Sequence, residues 1–139
     1  MTFGVKMIKK VYKNRVEFYD VDSLNVVWHG NYVKFLEVAR CNFLKDIGYD
    51  YIKMKNDGFV YPIVKMDFKF INPLFFGDEF EVEITLLEIE SFLKFSYLIK
   101  KGSINICKAT TSQACIDIKN MQTCYAPPQT LKKIIKGIL

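Results

Sequence analysis

The stretch Tyr19–Gly48, YDVDSLNVVWHGNYVKFLEVARCNFLKDIG, contains the only histidine and the only tryptophan of the chain, together with its clearest helical pattern. Apolar residues recur at steps of three and four, at Tyr32, Phe35, Leu36, Ala39, Phe43 and Ile47. This spacing predicts an amphipathic helix of about 17 residues that ends at Gly48. Further apolar positions widen the stripe, at Val33, Val38 and Leu44. We therefore expect the helix to be enclosed, most simply by a curved sheet.

The segments around this helix alternate apolar and polar residues, as half-buried strands do. The predicted strands are residues 8–19, 59–71, 79–90, 91–101 and 104–118. A short amphipathic helix is predicted over 129–138. The order favours an α+β domain in which a five-stranded antiparallel sheet wraps one long helix. The length of 139 residues suits a single domain, 1–139.

Composition narrows the classes of function. The chain is 50% hydrophobic and 25% charged, with a net charge of +5 from lysines spread along its length. Because there is no basic cluster or motif, we expect no nucleic-acid partner, although the excess charge suits an anionic small ligand. We see no secretory signal and no apolar run of ~18 residues that would span a membrane. The four cysteines show no CxxC spacing, so we expect reduced core thiols and a cytoplasmic protein.

Asp20, Asp22 and His29 form the candidate site. The two aspartates are two residues apart, and we expect only one of the two carboxylates to point into a shared pocket. Asn25, in the turn that follows, tolerates a left-handed backbone. His29 lies at the start of the long helix, where free backbone N–H groups carry partial positive charge. This arrangement suits acyl transfer, because the N–H groups can hold an oxyanion while a carboxylate attacks or activates water.

Ordinary structural roles remain open for the same residues. Asp20 and Asp22 are typical turn or cap residues, and His29 could cap the helix. Glu37 and Arg40 are three positions apart and would form a surface or interface ion pair. A metal site is disfavoured, because the two carboxylates diverge and the chain has no second histidine.

The segment Arg15–Arg40, RVEFYDVDSLNVVWHGNYVKFLEVAR, resembles the signature of the 4-hydroxybenzoyl-CoA thioesterase family of hotdog-fold proteins. It also resembles the acyl-CoA thioesterases associated with the Tol–Pal envelope system. The similarity continues through Pro62–Asp78, PIVKMDFKFINPLFFGD. The resemblance implies a hotdog fold, a dimer that is often paired into a tetramer, and an active site between subunits.

The resemblance also implies roles for individual residues. Asp22 matches the family's catalytic aspartate, and the backbone N–H of His29 matches the group that polarises the thioester carbonyl, with Gly30 as a second donor. The His29 side chain would orient water or the leaving thiol. Candidate substrate-binding residues are Phe18, Trp28, Tyr61, Pro62 and Ile63. For Phe18 and Trp28 we expect plain core positions more often than substrate contacts.

The sequence departs from the family at three places. Asn25 replaces a common glycine, and Phe18 replaces a tyrosine of the Tol–Pal-associated members. A cationic cluster that binds the CoA phosphates is replaced by EIESFLK, residues 88–94. Candidate phosphate ligands are therefore spread over other positions, at Lys65, Lys69, Lys94, Lys100 and Lys101.

The function we expect is hydrolysis of an acyl-CoA to a carboxylic acid and free CoA by a homodimer or homotetramer, without a cofactor or a metal. Acyl carrier protein could replace CoA as the carrier. A non-catalytic acyl-thioester-binding or sensing protein is the main alternative, and the Asp22–His29 pair argues against it. A hotdog dehydratase is a third hypothesis, which a lone histidine followed by Gly30-Asn31 does not favour.

Overall fold

The computed structural model describes residues 8–139. The expectation of no secretory signal rests largely on residues 1–7, which lie outside this range. Within 8–139, no helix is both long enough and apolar enough to cross a membrane.

The described chain contains three helices, eight strands and one short 3₁₀ helix at Phe18–Asp20. The helices are α1 (Asn31–Asp46), α2 (Tyr51–Asn56) and α3 (Gln129–Ile138). The strands are β1 (Lys9–Arg15), β2 (Phe59–Val60), β3 (Ile63–Phe70), β4 (Glu79–Glu88), β5 (Leu93–Lys101), β6 (Ile104–Gln113), β7 (Cys115–Asp117) and β8 (Gln122–Cys124).

A five-stranded antiparallel sheet packs against α1, as predicted. Its strand order is β1-β4-β5-β6-β3, so β1 and β3 are the two edges. Aromatic contacts join the helix to the sheet: the Phe35 ring lies 4.8 Å from that of Phe80, and the Phe43 ring lies 5.1 Å from that of Phe95. A second sheet, with the order β2-β7-β8, has three short strands.

The apolar stripe of α1 is buried largely as its spacing predicted. The buried positions include Tyr32, Phe35, Leu36, Ala39, Phe43 and Leu44. Val33 and Val38 differ from the prediction of an enclosed helix, because they remain 39% and 44% exposed. The sheet therefore covers one broad face of the helix and leaves part of its circumference uncovered.

Within residues 8–139, Arg40 is buried and does not form the ion pair with Glu37 that its spacing predicted. It is only 5% exposed, and it donates from Nε to the Tyr51 hydroxyl (2.8 Å) and from Nη1 to the Tyr97 hydroxyl (3.2 Å). Glu37 forms no ion pair with it in the described structure, so the predicted Glu37–Arg40 pair is wrong. Leu36 is fully buried four residues earlier on the same face of the helix, and this periodicity places Arg40 in the interior.

Several predicted strands are shorter than expected. The first ends at Arg15 and gives way to the 3₁₀ helix. The segment 59–71 divides at Pro62, which has no N–H for a sheet, and its two parts join different sheets. The segment 104–118 divides at Ala114, whose N–H donates to the Pro62 carbonyl (3.0 Å). Two further elements, β8 and α2, were not predicted from the sequence, although Asp50 caps α2 by accepting a hydrogen bond from the Lys53 N–H.

Candidate active site

Asp22 begins a tight turn that leads to α1. Its Oδ1 accepts hydrogen bonds from the N–H groups of Leu24 (2.9 Å) and Val26 (3.3 Å). Asn25 has a φ of 61°, the left-handed conformation that its identity predicted. Oδ2 of Asp22 accepts no hydrogen bond from any described residue, and the side chain is exposed. One carboxylate oxygen therefore holds the turn, while the other is available for chemistry.

Asp20 anchors this turn to the first turn of α1. Its side chain is 2% exposed and forms an ion pair with Lys34 Nζ. Oδ2 accepts a hydrogen bond from the Glu17 N–H (2.9 Å), and the backbone carbonyl accepts one from Asn31 Nδ2 (2.6 Å). The two aspartates thus have separate roles: Asp20 fixes the segment, and Asp22 remains exposed beside it.

The N-terminus of α1 leaves two backbone N–H groups without partners. The N–H of Asn31 donates to the Trp28 carbonyl (3.0 Å), and that of Tyr32 donates to the His29 carbonyl (3.2 Å). The N–H groups of His29 and Gly30 make no hydrogen bond to residues 8–139. A Cβ at position 30 would clash with the Trp28 indole, so glycine allows this ring to lie against the helix start. These two N–H groups can stabilise negative charge on a bound ligand.

The His29 side chain lines a groove of about 250 Å³ between the start of α1 and the end of β3. Its ring centroid lies 4.5 Å from that of Phe70, and the Phe70 ring lies 5.2 Å from that of Tyr32. Burial raises the pKa of Tyr32 to about 12, so its phenol stays neutral near pH 7. Asp22 is not among the lining residues of this groove. The described chain therefore places a histidine and aromatic rings in one groove and the carboxylate outside it.

The candidate substrate residues occupy different environments. Phe18 is 75% exposed and Trp28 is 57% exposed, so the expectation that they are core residues is wrong. Both lie on the segment that leads to α1, outside the sheet–helix interior. Tyr61 is 7% exposed, and its carbonyl accepts a hydrogen bond from Gln113 Nε2 (2.8 Å). Pro62 and Ile63, by contrast, are exposed at the start of β3.

The five candidate phosphate ligands are not gathered around His29. Lys65, Lys69, Lys94 and Lys100 alternate with the more buried positions of β3 and β5, so they lie on the sheet face opposite α1. Lys101 forms an ion pair with Asp78 (2.9 Å).

Lys108 was not predicted from the sequence as a site residue, and it lies directly opposite Lys69 in the β3–β6 pairing. Both lysines line a groove of about 510 Å³ on the outer face of the sheet. Asn31 and Lys34 were not predicted either, although their spacing of three in the first helical turn suggested that both could contact one neighbour. Lys108 gave no such signal, because its pairing depends on strand register.

Comparison with known proteins identifies relatives across most of the chain. The Thioesterase-like superfamily matches residues 16–134. A protein of Aquifex aeolicus, provisionally named an esterase, is 34% identical over 88% of this chain and 94% of its own length. A 1,4-dihydroxy-2-naphthoyl-CoA hydrolase of Thermosynechococcus vestitus is 28% identical over 84% of this chain and 82% of its own. The crystal structure of a hypothetical protein from Aquifex aeolicus is similar, with a TM-score of 0.82 at 31% identity, covering 91% and 98% of the two chains.

Proposed function

Because the chain belongs to the thioesterase-like hotdog superfamily, it is a thioester hydrolase, and we propose that it cleaves an acyl-CoA with Asp22 as the nucleophile or general base. The observation that carries this assignment is the free Oδ2 of Asp22 on a turn that is tied to the start of α1. The same helix start presents the free N–H groups of His29 and Gly30. A carboxylate and two unpaired donors are the minimum set for acyl transfer.

In this mechanism the thioester carbonyl is polarised by the N–H groups of His29 and Gly30. Asp22 attacks the carbonyl carbon or removes a proton from the attacking water, and negative charge develops on the carbonyl oxygen. Donors aimed at that oxygen stabilise the transition state more than the substrate, which is how they raise the rate. The His29 side chain, held against Phe70, orients the water or the departing thiol.

The acyl group is best sought among aromatic and short aliphatic thioesters. The groove beside His29 is small and lined by the rings of Tyr32 and Phe70, which suit a flat acyl group. A panel of aromatic, short-chain and long-chain acyl-CoAs, assayed by release of the free thiol, tests the function. Turnover of at least one member above the rate of the uncatalysed reaction is expected. Saturable binding of acyl-CoA without turnover of any member would favour the non-catalytic alternative.

We infer that a second copy of the chain completes the site through β3. The two sheet edges differ: β1 carries Lys9, Lys10, Lys13 and Arg15, whereas the end positions of β3 are apolar. Val64 is 55% exposed and Phe70 is 43% exposed. Charged edge strands resist pairing, and an apolar edge invites it. Antiparallel pairing of two β3 strands would bring a partner beside the His29 groove, and two such dimers could form a tetramer.

Val64→Lys tests this interface. A lysine placed in an apolar contact between two copies leaves a buried charge without a partner, which costs roughly 3–5 kcal/mol. We therefore expect the dimer dissociation constant to rise at least ~100-fold, with loss of turnover at low protein concentration. Analytical ultracentrifugation measures the change. Val11→Lys is the matched control, because Val11 is 47% exposed on the opposite edge strand and should leave the dimer intact. A folded 16.3 kDa wild-type species at micromolar concentration would contradict the proposal.

The CoA phosphates are proposed to bind on the outer face of the sheet at Lys69 and Lys108. Like charges directly opposite one another on a sheet are destabilising unless an anion lies between them. Lys100, by contrast, lies opposite Glu81, and Lys101 is paired with Asp78. Lys69 and Phe70 are neighbours on β3 but point to opposite faces of the sheet, so within one chain this phosphate site lies across the sheet from the His29 groove.

Replacing Lys69 and Lys108 together by alanine should raise KM for acyl-CoA about tenfold, because two exposed charge contacts are worth roughly 1 kcal/mol or somewhat more. The kcat should change little, since phosphate contacts are remote from the reacting carbonyl. The matched control replaces Lys100 and Lys101 by alanine and should have the smaller effect. Steady-state kinetics at low and high salt measure KM and kcat for the two double variants. An unchanged KM in the Lys69 and Lys108 variant would place the phosphates elsewhere, or favour acyl carrier protein as the carrier.

A cytoplasmic location is part of the proposal. Its support is the cysteine pattern: four cysteines without CxxC spacing fit a protein of a reducing compartment. Fractionation of the native host, followed by an immunoblot, tests the location. Recovery of the protein outside the cytoplasmic fraction would contradict it.

A further inference from the structure

Two of the four cysteines face each other across the β7–β8 hairpin. Cys115 is the direct antiparallel partner of Cys124 in the register of the two strands. Directly opposed residues project their side chains to the same face, with Cα atoms about 4.5 or 5.5 Å apart. Both spacings fall inside the range of about 4.4–6.8 Å that disulfides span. The backbone therefore already holds the two thiols at a distance that a disulfide can bridge.

The two thiols also differ in access. Cys115 is 4% exposed, and burial, opposed by the Tyr61 hydroxyl and reinforced by a hydrogen bond with Cys124, raises the pKa of its thiol to about 11. Cys124 is half-buried and lies on β8, which pairs with β7 alone. A solvent-borne oxidant therefore reaches Cys124 first, while Cys115 lies directly behind it.

We propose that Cys115 and Cys124 form a reversible thiol–disulfide site that closes across the β7–β8 hairpin on exposure to a peroxide. The Cys124 sulfur attacks one oxygen of hydrogen peroxide, giving a sulfenic acid and one water. The Cys115 sulfur then attacks the Cys124 sulfur and displaces the hydroxyl, which leaves as a second water with the Cys115 proton. Two thiols lose two electrons and two protons, and one peroxide is reduced to two waters. A small thiol reverses the reaction by exchange.

The disulfide would link β8, which leads into the C-terminal region, covalently to β7. Beyond Cys124 the chain continues to α3, whose Leu131 and Ile135 are fully buried in the core. A disulfide that closes a loop of about ten residues should raise Tm by on the order of 5–10 °C. Neither Cys41 nor Cys107 lies opposite another cysteine, so both serve as internal controls: Cys41 lies on α1, and Cys107 pairs with Phe70 and Ile99.

Peptide mapping tests the proposal directly. Lys119 lies between the two cysteines, so trypsin separates them onto peptides 109–119 and 120–132. The reduced, full-length protein is treated with hydrogen peroxide, freed of excess peroxide, unfolded in denaturant with N-ethylmaleimide present so that buried thiols also react, and digested without reductant. The two peptides should remain joined in the oxidised sample and separate after dithiothreitol, while Cys41 and Cys107 stay alkylated.

Two further measurements accompany the peptide map: an isotope-mixing experiment and the thermal stability of cysteine variants. Mixing isotopically labelled and unlabelled protein before oxidation should give linked peptides of one isotope only, as expected for a bond within one chain. The peroxide-induced rise in Tm should disappear in Cys124→Ser and persist in Cys41→Ser. Alkylation of Cys115 and Cys124 at full yield after oxidation, or mixed-isotope linked peptides, would overturn the proposal. The map involves no turnover, so its outcome is separate from that of the hydrolase assay.

Discussion

Asp22→Asn should lower kcat for acyl-CoA hydrolysis by at least ~10²–10⁴, the range typical for loss of a catalytic base. The substitution removes the negative charge and the nucleophilic oxygen together. It keeps an Oδ1 that can accept the hydrogen bonds from Leu24 and Val26, so the turn should persist. Tm and binding of a non-hydrolysable acyl-CoA analogue should stay close to wild type. Thiol-release kinetics, differential scanning calorimetry and titration calorimetry measure the three quantities.

Asp50→Asn is the matched control for this experiment. Asp50 is another partly exposed aspartate whose Oδ1 accepts a backbone hydrogen bond, from the Lys53 N–H at 2.8 Å. The two variants make the same chemical change in similar local structures, and only Asp22 lies on the turn that Asp20 joins to the start of α1. Turnover should therefore be retained in Asp50→Asn. A kcat of Asp22→Asn within tenfold of wild type would rule out Asp22 as the catalytic group.

The architecture could be predicted because it depends on periodic patterns. Residues at steps of three and four located α1 to within two residues at its C-terminal end, and alternation located the five strands of the main sheet. The second sheet could not be predicted, because strands of two or three residues are too short to show a period. The division at Pro62 is the exception: a proline lacks the N–H of a central strand, and this signal was present in the sequence.

The turn at the site could be predicted in part. The left-handed backbone at Asn25 followed from residue type alone. The division of roles between the two aspartates did not follow from strand alternation, because residues two apart on a strand point to the same face. It arises because Asp20 ends the 3₁₀ helix, whereas Asp22 begins the turn that follows. The Asp20–Lys34 ion pair could not be predicted, because it joins residues fourteen positions apart through a buried carboxylate. Burial of an ionised group depends on what surrounds it, which no local pattern reports.

The exposure of Phe18 and Trp28 shows a different limit of prediction from sequence. Large aromatic residues are usually buried, so a single chain that exposes them at 75% and 57% suggests that something else covers them. A second copy is the occupant we infer from the apolar edge of β3. Sequence patterns describe which residues avoid water, but they do not distinguish the interior of one chain from the contact between two.

Phe43→Ala should destabilise the protein more than any exposed substitution, because Phe43 packs between α1 and the sheet. The side chain is fully buried, and its ring meets that of Phe95 edge-on at 5.1 Å. Truncating a buried phenylalanine to alanine costs about 3–5 kcal/mol through lost transfer energy and the cavity left behind. Tm should therefore fall by roughly 10 °C or more. Ile52→Ala is the control: Ile52 is 73% exposed on α2, and its loss should change stability by less than about 0.5 kcal/mol.

The same variant separates stability from chemistry. Phe43 is fourteen residues beyond His29 along α1, which places it roughly 20 Å from the helix start at 1.5 Å per residue. At a temperature where the variant remains folded, kcat should therefore stay near wild type while chemical denaturation shows the loss of stability. A small change in the free energy of unfolding would mean that the sheet closes around the cavity. A fall in kcat as large as that of Asp22→Asn, in fully folded protein, would mean instead that the packing of α1 controls the geometry of its N-terminus.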